Sequence, residues 1–254
     1  MRVLAGIFAV LLALVIWDDP AFAQGVYAPI SVTGYNRDEI AEAFPAVSST
    51  TADVDGVRWT WVARSFPGST IGLPLDRKLE TSTHRFLLNS YSTNNVLRLL
   101  NSTGTLTLDA PKAYPSISIL ASSGSGSANT TVQVNFVGGD VYVHPAFTVS
   151  DWFLGASPFP SFGRVDRQTD AVENLPAGGL LHVYDISIPP AQASLPIESI
   201  AIRSNSATTV LNVMAVAGYV PPAVPTLGSW AIFLFGGLLL GGGAAYARFT
   251  RSAA

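Results

Sequence analysis

The chain has 254 residues and a formal net charge of -3 with only two lysines, so no basic surface of the kind that holds nucleic acid is expected. It contains no cysteine, which excludes disulfides, thiol nucleophiles, lipoprotein attachment and zinc sites built on thiolates. The residues between its two apolar ends suffice for one domain with a sizeable core, and we expect no cofactor.

Residues 1–23 have the parts of a secretory signal peptide. Arg2 precedes an apolar run over Val3–Trp17, and Ala21 and Ala23 form a small-residue A-x-A cleavage site. We therefore expect the mature chain to begin at Gln24. An uncleaved signal anchor is the alternative, but the apolar run is short for a membrane span, which favours cleavage.

Residues 24–220 are dominated by short segments with a period of two, which is typical of strands with one buried face. In the last segment, Val210–Ala217, the alternation predicts that Leu211, Val213 and Ala215 share a face. About nine or ten strands without alternating helices predict an all-β fold with a single β-sandwich or jelly roll. The segments that carry this pattern include Val57–Trp61, Thr105–Leu108, Val132–Phe136, Leu180–Ile188 and Ile197–Ile202.

Three local features refine this prediction. Gly138-Gly139 between two alternating segments indicates a hairpin turn. Asp38–Ala43 suits a helical turn, and the small polar residues of Ser122–Asn129 predict a flexible loop between strands.

Histidines and paired aspartates are the first candidates for chemistry. His84, His144 and His182 each lie in or beside a strand without a partner at metal-ligand spacing, so we interpret them as ordinary strand histidines. Asp53 and Asp55 resemble part of a calcium loop, but the closing glutamate is missing, and a solvated turn before the strand is favoured.

A second pair of aspartates and three tryptophans complete the candidates. Asp166 and Asp170 could form a carboxylate pair for glycoside hydrolysis, but the neighbouring arginines favour a charged loop. Trp59 and Trp61 share a face with apolar neighbours, so we predict core positions rather than a sugar-stacking platform. Trp152 is predicted to plug an end of the sandwich, with a ligand contact as the alternative.

The ectodomain resembles the galactose-binding-like jelly-roll modules found on bacterial surfaces and beside glycoside hydrolases. The residues behind this are Val32–Asn36, Asp151–Phe153, Gly163-Arg164 and Ala215–Tyr219. The resemblance is diffuse. It implies a non-catalytic module that binds glycan. It does not indicate which residues of this chain would form the binding site.

The C-terminal residues divide into a Pro-rich spacer (221–228), an apolar segment of membrane-spanning length (229–247) and a basic tail (248–254). Trp230 lies where aromatic rings favour the membrane interface, and Arg248 and Arg251 predict a cytoplasmic C-terminus. Pro225 blocks helical continuation and keeps Val224 extended, so the spacer is an accessible, extended segment outside the membrane.

This tail resembles the IPTL-type C-terminal sorting domain, a relative of the PEP-type tails that exosortases cut in Gram-negative bacteria. The match is P-T-L-x-x-W, formed by Pro225, Thr226, Leu227 and Trp230, and Val224 stands where the family usually has isoleucine. The resemblance implies an exosortase as processing partner. A tail anchor that stays uncut is the alternative.

Together these features predict an exported, non-enzymatic surface or extracellular-matrix protein, held transiently in the inner membrane and then sorted by an exosortase. The partners expected are the inner membrane, the exosortase and exopolysaccharide or another glycan, but no nucleic acid. The alternatives are a carbohydrate-binding adhesion module and an uncut membrane-anchored hydrolase. A concave pocket that holds either two carboxylates or a histidine–aspartate pair at reacting distance would favour the hydrolase.

Overall fold

A computed structural model describes residues 24–174 and 178–222, and residues Gly25–Val220 form a compact unit of their own. The predicted signal peptide, the sorting motif, the apolar tail segment and the basic tail lie outside the described residues. Within the described ranges, no helix combines the length and the apolar character needed to cross a membrane.

The unit is all-β, as predicted, and its described residues contain sixteen strands and one helical turn. The helical turn is α1 (Ala46–Ser49). The strands are β1 (Val26–Pro29), β2 (Val32–Thr33), β3 (Ile40–Ala41), β4 (Trp59–Val62), β5 (Lys78–Glu80), β6 (Arg85–Leu87), β7 (Leu97–Leu99), β8 (Thr103–Lys112), β9 (Ser116–Gly124), β10 (Ala128–Phe136), β11 (Val141–Val149), β12 (Arg164–Asp166), β13 (Val172–Glu173), β14 (His182–Ser187), β15 (Ile197–Ser204) and β16 (Val210–Val220).

Two antiparallel sheets pack face to face around the larger core. The inner sheet has the order β1-β16-β9-β14, with β7 also paired to β16, and the outer sheet has the order β11-β10-β15-β8-β2. Alternate side chains of both sheets point into the shared core, which is the packing expected of a β-sandwich. Core residues include Ile117, Ile119 and Val213 of the inner sheet and Leu106, Val132, Val134 and Ile200 of the outer sheet.

A third layer covers the other face of the inner sheet. It consists of the small sheet, β13-β12-β4-β3, and the hairpin β5-β6. Leu120 and Met214 of the inner sheet enter a second core with Trp61, Phe86 and Trp152. The inner strands β9 and β16 are therefore buried on both faces. The architecture has three layers where the sequence predicted a single sandwich.

A β-bulge in β16 changes which residues share a face. Val213 pairs with Ala121, but Leu120 pairs with Ala215, so Met214 is the extra residue. A bulge reverses the alternation beyond it. Leu211 and Val213 consequently face the first core, whereas Ala215 lies in the second core. The predicted common face of these three residues is wrong at Ala215.

The helical turn predicted over Asp38–Ala43 is also wrong. Ile40 and Ala41 form β3, which pairs in parallel with Trp61 and Val62 of β4. Both residues are completely buried, and such tertiary pairing outweighs a weak local helix preference. The helical turn of this region is α1, which begins a few residues later.

The segment Ser122–Asn129 is a tight strand connection and not a flexible loop. β9 continues to Gly124, and β10 already begins at Ala128. Ser122 and Ser123 are 0 % exposed because β16 pairs along them on one side. The hairpin at Gly138-Gly139 is confirmed, since both glycines have positive φ, at 100° and 95°, and connect β10 to β11.

The first and last strands of the unit are neighbours. β1 pairs antiparallel with the end of β16, from Val26 opposite Val220 to Pro29 opposite Ala217. The two ends of the unit therefore leave from the same edge of the inner sheet.

Candidate functional site

A histidine–aspartate pair lies where β1, β14 and the residues before β6 meet. The backbone N–H of Tyr27 donates to the Thr83 carbonyl at 2.9 Å, which brings His84 beside β1. The His84 ring stacks on Tyr27 with centroids 4.4 Å apart and an interplanar angle of 5°. His84 Nε2 is 3.0 Å from Asp185 Oδ1, so the two side chains are within hydrogen-bond reach.

Hydroxyl groups extend this pair on both sides. Thr83 Oγ1 lies 2.9 Å from His84 Nδ1, and Tyr27 OH lies 2.9 Å from Ser116 Oγ. Burial is the main cause that raises the pKa of Tyr27. A hydroxyl, an imidazole and a carboxylate in series is the order of groups in a nucleophile relay. However, Thr83 is the chain neighbour of His84, and none of these residues lines either cavity of the groove described next.

Two adjoining cavities form a groove beside β2, which we call the β2 groove. Their volumes are about 340 Å³ and about 440 Å³. Both are lined by Ser31, Val32, Tyr35 and Asn89, so they are continuous. The first cavity extends along Pro29-Ile30 and Leu87-Leu88 to Arg77, and the second extends along Thr33-Gly34 and Thr93-Asn94 to Asp109.

The β2 groove is rich in uncharged hydrogen-bonding groups. The Ser31 hydroxyl donates to Asp109, and Asn89 Nδ2 donates to the Asn94 carbonyl at 2.7 Å. The Tyr35 hydroxyl donates to the Met214 carbonyl at 3.1 Å, and burial raises the pKa of Tyr35, which keeps its phenol neutral. Neutral donors and acceptors beside apolar residues suit a polyhydroxylated ligand.

One side of the β2 groove is formed by a polar run that is visible in the sequence, but its composition alone does not show where it lies in the fold. Residues 89–95 read N-S-Y-S-T-N-N, a polar run between two strands. The run faces the groove only because the chain on either side of it is fixed. Asn95 N and Val96 N both donate to the Arg37 carbonyl.

The carboxyl groups of two adjacent residues, Asp38 and Glu39, are buried. Glu39 is completely buried, and its Oε1 lies 3.1 Å from Arg98 Nε. Burial raises the pKa of Glu39 well above its usual value, while Arg98 opposes that shift. Asp38 Oδ1 accepts from Asn95 Nδ2 at 2.6 Å, and burial raises the pKa of Asp38 to about 6. These groups hold segments together and do not reach solvent as catalytic acids would need to.

The aspartates proposed as a calcium loop have structural partners. Asp55 Oδ1 accepts the backbone N–H groups of Val57, Arg58 and Trp59 at 2.9, 3.1 and 3.2 Å. It thus fixes the turn before β4, as the sequence predicted. Asp53 Oδ1 lies 3.4 Å from Arg98 Nη2. The described residues contain no group of three or more His, Asp or Glu side chains that could hold a metal ion.

Asp166 and Asp170 fix backbone and are not a reacting pair. Asp166 is only 2 % exposed, and its Oδ2 lies 3.1 Å from Arg58 Nε. Asp170 Oδ1 accepts from the backbone N–H of Ala46 at 2.6 Å, which ties the loop to α1. The charged loop that the sequence predicted is therefore largely buried at Asp166.

Trp61 and Trp152 belong to the second core, and Trp59 packs against it while half-buried. Trp61 is fully buried and meets Trp152 edge to face, with centroids 5.1 Å apart. Trp152 is 2 % exposed and lies in the second core, so its ring faces protein and not a ligand site on the surface. Trp59 is half-buried beneath Arg164, whose Cζ lies 3.9 Å from the indole centroid. Val57 is 66 % exposed, so the predicted buried face begins only at β4.

The other two histidines lie in strands, as predicted. His144 is in β11, with Nδ1 2.7 Å from the Pro145 carbonyl oxygen. His182 begins β14 and is buried, with Nδ1 3.1 Å from the Ala156 carbonyl oxygen. Both rings therefore bond to backbone and lie apart from the groove lining.

The fold and this groove define a three-layer β protein with a polar surface groove and with two ion pairs whose carboxylates, Glu39 and Asp166, are buried. No protein-family model matches the chain, and a comparison with curated proteins finds no match.

Proposed function

We propose that this protein is an exported, non-catalytic surface or extracellular-matrix protein that an exosortase processes at P-T-L-x-x-W. The observation that carries the proposal is the pair of terminal signals, because the signal peptide (1–23) and the sorting tail (221–254) flank the whole domain. The inner membrane then holds the chain only until the tail is cut. We retain the jelly-roll resemblance of the ectodomain as part of this proposal.

The boundaries of the folded unit support this arrangement. β1 begins two residues after Gln24, and β16 ends at Val220, immediately before the Pro-rich spacer. Neither β1 nor β16 needs the terminal signals to complete its pairing, since Val26 pairs with Val220. Removal of both signals would leave the domain intact.

The nature of the titratable groups favours a non-catalytic domain. Glu39 and Asp166 are buried beside arginines, which is the environment of structural ion pairs. The His84–Asp185 pair lines neither cavity of the β2 groove.

Mass spectrometry of the protein recovered from the cell surface and medium tests this proposal. We expect a mature N-terminus at Gln24 and a C-terminus near Pro225-Thr226-Leu227, with no peptide from the apolar segment. Intact protein that extends through Arg251 as the main species would rule out processing and favour the tail anchor.

A carbohydrate-binding module is the second candidate, and the β2 groove favours it specifically. The groove offers the Ser31 hydroxyl, the Asn89 amide and the Thr93 hydroxyl beside apolar Val32 and Leu87. Sugars present hydroxyl groups and apolar ring faces, so this mixture is complementary to them. Such binding would hold the exported protein on matrix glycans.

A further inference from the structure

The outer sheet has one face that no described residue covers. Its inner face packs on the core through Leu106, Val134 and Ile200. Residues one position along each strand point the other way, and many of them are exposed or half-buried. The inner sheet differs, because the small sheet and the hairpin β5-β6 cover its second face.

Register places the residues of this uncovered face in straight rows across the strands. The longest row crosses all five strands, and we call it the cross-strand row. It consists of Thr33, Thr107, Ser199, Asn135 and Val141. A row through five strands spans four interstrand distances, about 19 Å in all.

The residues of the cross-strand row are uncharged, and its one amide side chain, that of Asn135, is held in place from both sides. Gln133 Nε2 donates to Asn135 Oδ1 at 2.7 Å, and Asn135 Nδ2 donates to Ser199 Oγ at 3.0 Å. Thr107 is exposed, and its hydroxyl makes no hydrogen bond to another described residue. Side chains that are already oriented lose little conformational entropy when a ligand binds.

Charged side chains flank the cross-strand row, and the nearest is Glu198, which is exposed and directly precedes Ser199 in β15. Arg203 lies two rows away, between Thr103 and Thr131. Asp109 follows Thr107 on β8 and is bonded by the Ser31 hydroxyl. Charges of both signs therefore lie beside these hydroxyls and amides, since Arg77 and Asp109 also line the β2 groove. They leave no net positive charge to balance a polyanion, so an uncharged polyol is the better match.

The cross-strand row runs directly into the β2 groove. Thr33 is the end of the row, and it also lines the second cavity with Ser31 and Asn94. Tyr35 extends the lining from there into the first cavity. Groove and row are therefore two parts of one continuous polar strip.

We propose that this strip binds an extended, uncharged polysaccharide, with one end of the glycan in the β2 groove and the following sugars along the cross-strand row. This inference rests on the proposed carbohydrate-binding function. It adds the class of ligand and a second part of the binding surface, the cross-strand row. The chain direction of the glycan is across the strands. A row across five strands suits a long polymer better than a single sugar, because it supplies contacts at regular interstrand intervals.

Affinity electrophoresis of the exported protein tests the inference. Hydroxyethyl cellulose, galactomannan and dextran are the neutral probes, and alginate is the anionic probe. The row variant is Thr107→Ala/Asn135→Ala. Its matched control is Thr103→Ala/Thr131→Ala, which removes two side chains from the same two strands and the same face, but outside the row. A groove variant, Thr93→Arg, blocks the other half of the strip.

We expect at least one neutral polysaccharide to retard the protein and alginate not to do so. The row variant should bind that polysaccharide about tenfold more weakly, the loss expected for one or two hydrogen bonds, while the control binds as the parent protein does. The groove variant should also lose affinity. Circular dichroism of each variant checks that the fold is kept.

The possible failures are distinguishable. If none of the probes retards the parent protein, the carbohydrate-binding function fails and this inference fails with it. If the groove variant loses binding and the row variant does not, the carbohydrate-binding function is supported, but the cross-strand row is not part of the binding surface. Binding to alginate alone would overturn the uncharged ligand class. A dimer in sedimentation equilibrium that the row variant dissociates would make a second copy the occupant.

Discussion

Buried carboxyl groups show the strongest influence of the fold on single residues. Asp38 and Glu39 are adjacent in the chain, and Asn95 bonds to both, donating to the Asp38 carboxylate and accepting from the Glu39 N–H at 3.0 Å. Burial opposes the charged form of each carboxyl group and raises its pKa. The positive charge of Arg98 lowers the pKa of Glu39 but offsets the effect of burial only in part. The local stability of this region therefore depends on protonation.

Asp38 makes the domain more stable in acid than at neutral pH. Its pKa is raised from 3.8 in the unfolded chain to about 6 in the folded one. The folded state thus binds the proton more tightly, so this contribution is complete below about pH 4 and is lost as the pH rises through 6. We expect the free energy of unfolding to fall by on the order of 2 kcal/mol over that range. Urea denaturation at a series of pH values measures it.

Asp38→Asn is the matched control for this prediction. It keeps an oxygen for Asn95 Nδ2 and removes the titration, so the decline with pH should become smaller. Glu39 and Glu42 leave a residual decline in the same direction, because burial also raises the pKa of each. Arg167 favours the charged form of Asp38 and so opposes part of its shift. Identical pH profiles for both proteins would contradict the assignment to Asp38.

Strand β9 is buried on both faces, so its polar side chains can find hydrogen-bond partners only within the protein. Ser122 and Ser123 are adjacent, fully buried and point to opposite faces. The Ser123 hydroxyl has the Gly126 carbonyl at 2.8 Å and the Val149 carbonyl at 3.1 Å as acceptors, whereas the Ser122 hydroxyl has no hydrogen-bond partner. At the next residue, Gly124, the Val54 carbonyl and Asp55 Cα approach so closely that a Cβ would not fit.

These two serines should respond oppositely to the same substitution. Ser123→Ala should lower the free energy of unfolding by about 1–2 kcal/mol, because the hydroxyl that donates to the Gly126 or Val149 carbonyl is lost. Ser122→Ala removes an unpaired buried hydroxyl, so it should leave stability unchanged or raise it by about 0.5 kcal/mol. Parallel urea titrations at one pH compare them, and each variant is the control for the other. Equal losses would show that the bonding of Ser123 is unimportant.

The sequence predicted the elements whose pattern depends on one buried face. Leu106, Val132 and Val134 alternate because the outer sheet has a core on one side and solvent on the other. The sequence pattern could not predict the third layer, which covers the other face of the inner sheet. Ser122 and Ser123 resemble loop residues in composition, yet they lie in a strand buried on both faces.

Other errors had a similar origin in long-range pairing. The bulge at Met214 has no local sequence signal, and it reverses the face of Ala215. The β3–β4 pairing joins residues about twenty positions apart, so no local preference at Ile40 could indicate it. The candidate groove was missed for the same reason, because Ser31, Asn89 and Asp109 approach one another only in the folded chain.

At the scale of the whole molecule, folding and destination depend on different residues. The pairing of Val26 with Val220 closes the unit before the spacer begins. The motif Pro225-Thr226-Leu227 and Trp230 lie beyond that closure. A change in the motif should therefore alter where the protein ends up and leave its unfolding unaffected.

Pro225→Ala/Thr226→Ala tests this separation. We expect the variant to stay in the inner membrane with its C-terminal arginines, because the extended motif that an exosortase reads has been removed. Mass spectrometry should recover peptides through Arg251, and the urea unfolding midpoint of the domain should equal that of the parent protein.

Pro221→Ala/Pro222→Ala is the matched control, since it changes two residues of the same spacer outside the motif. Its processing should continue. A motif variant that is released as efficiently as the parent protein would show that P-T-L-x-x-W does not direct the cut. A motif variant whose unfolding midpoint falls while the control's does not would instead show that the tail contributes to the fold, because residues beyond the Val26–Val220 pair would then stabilise the domain.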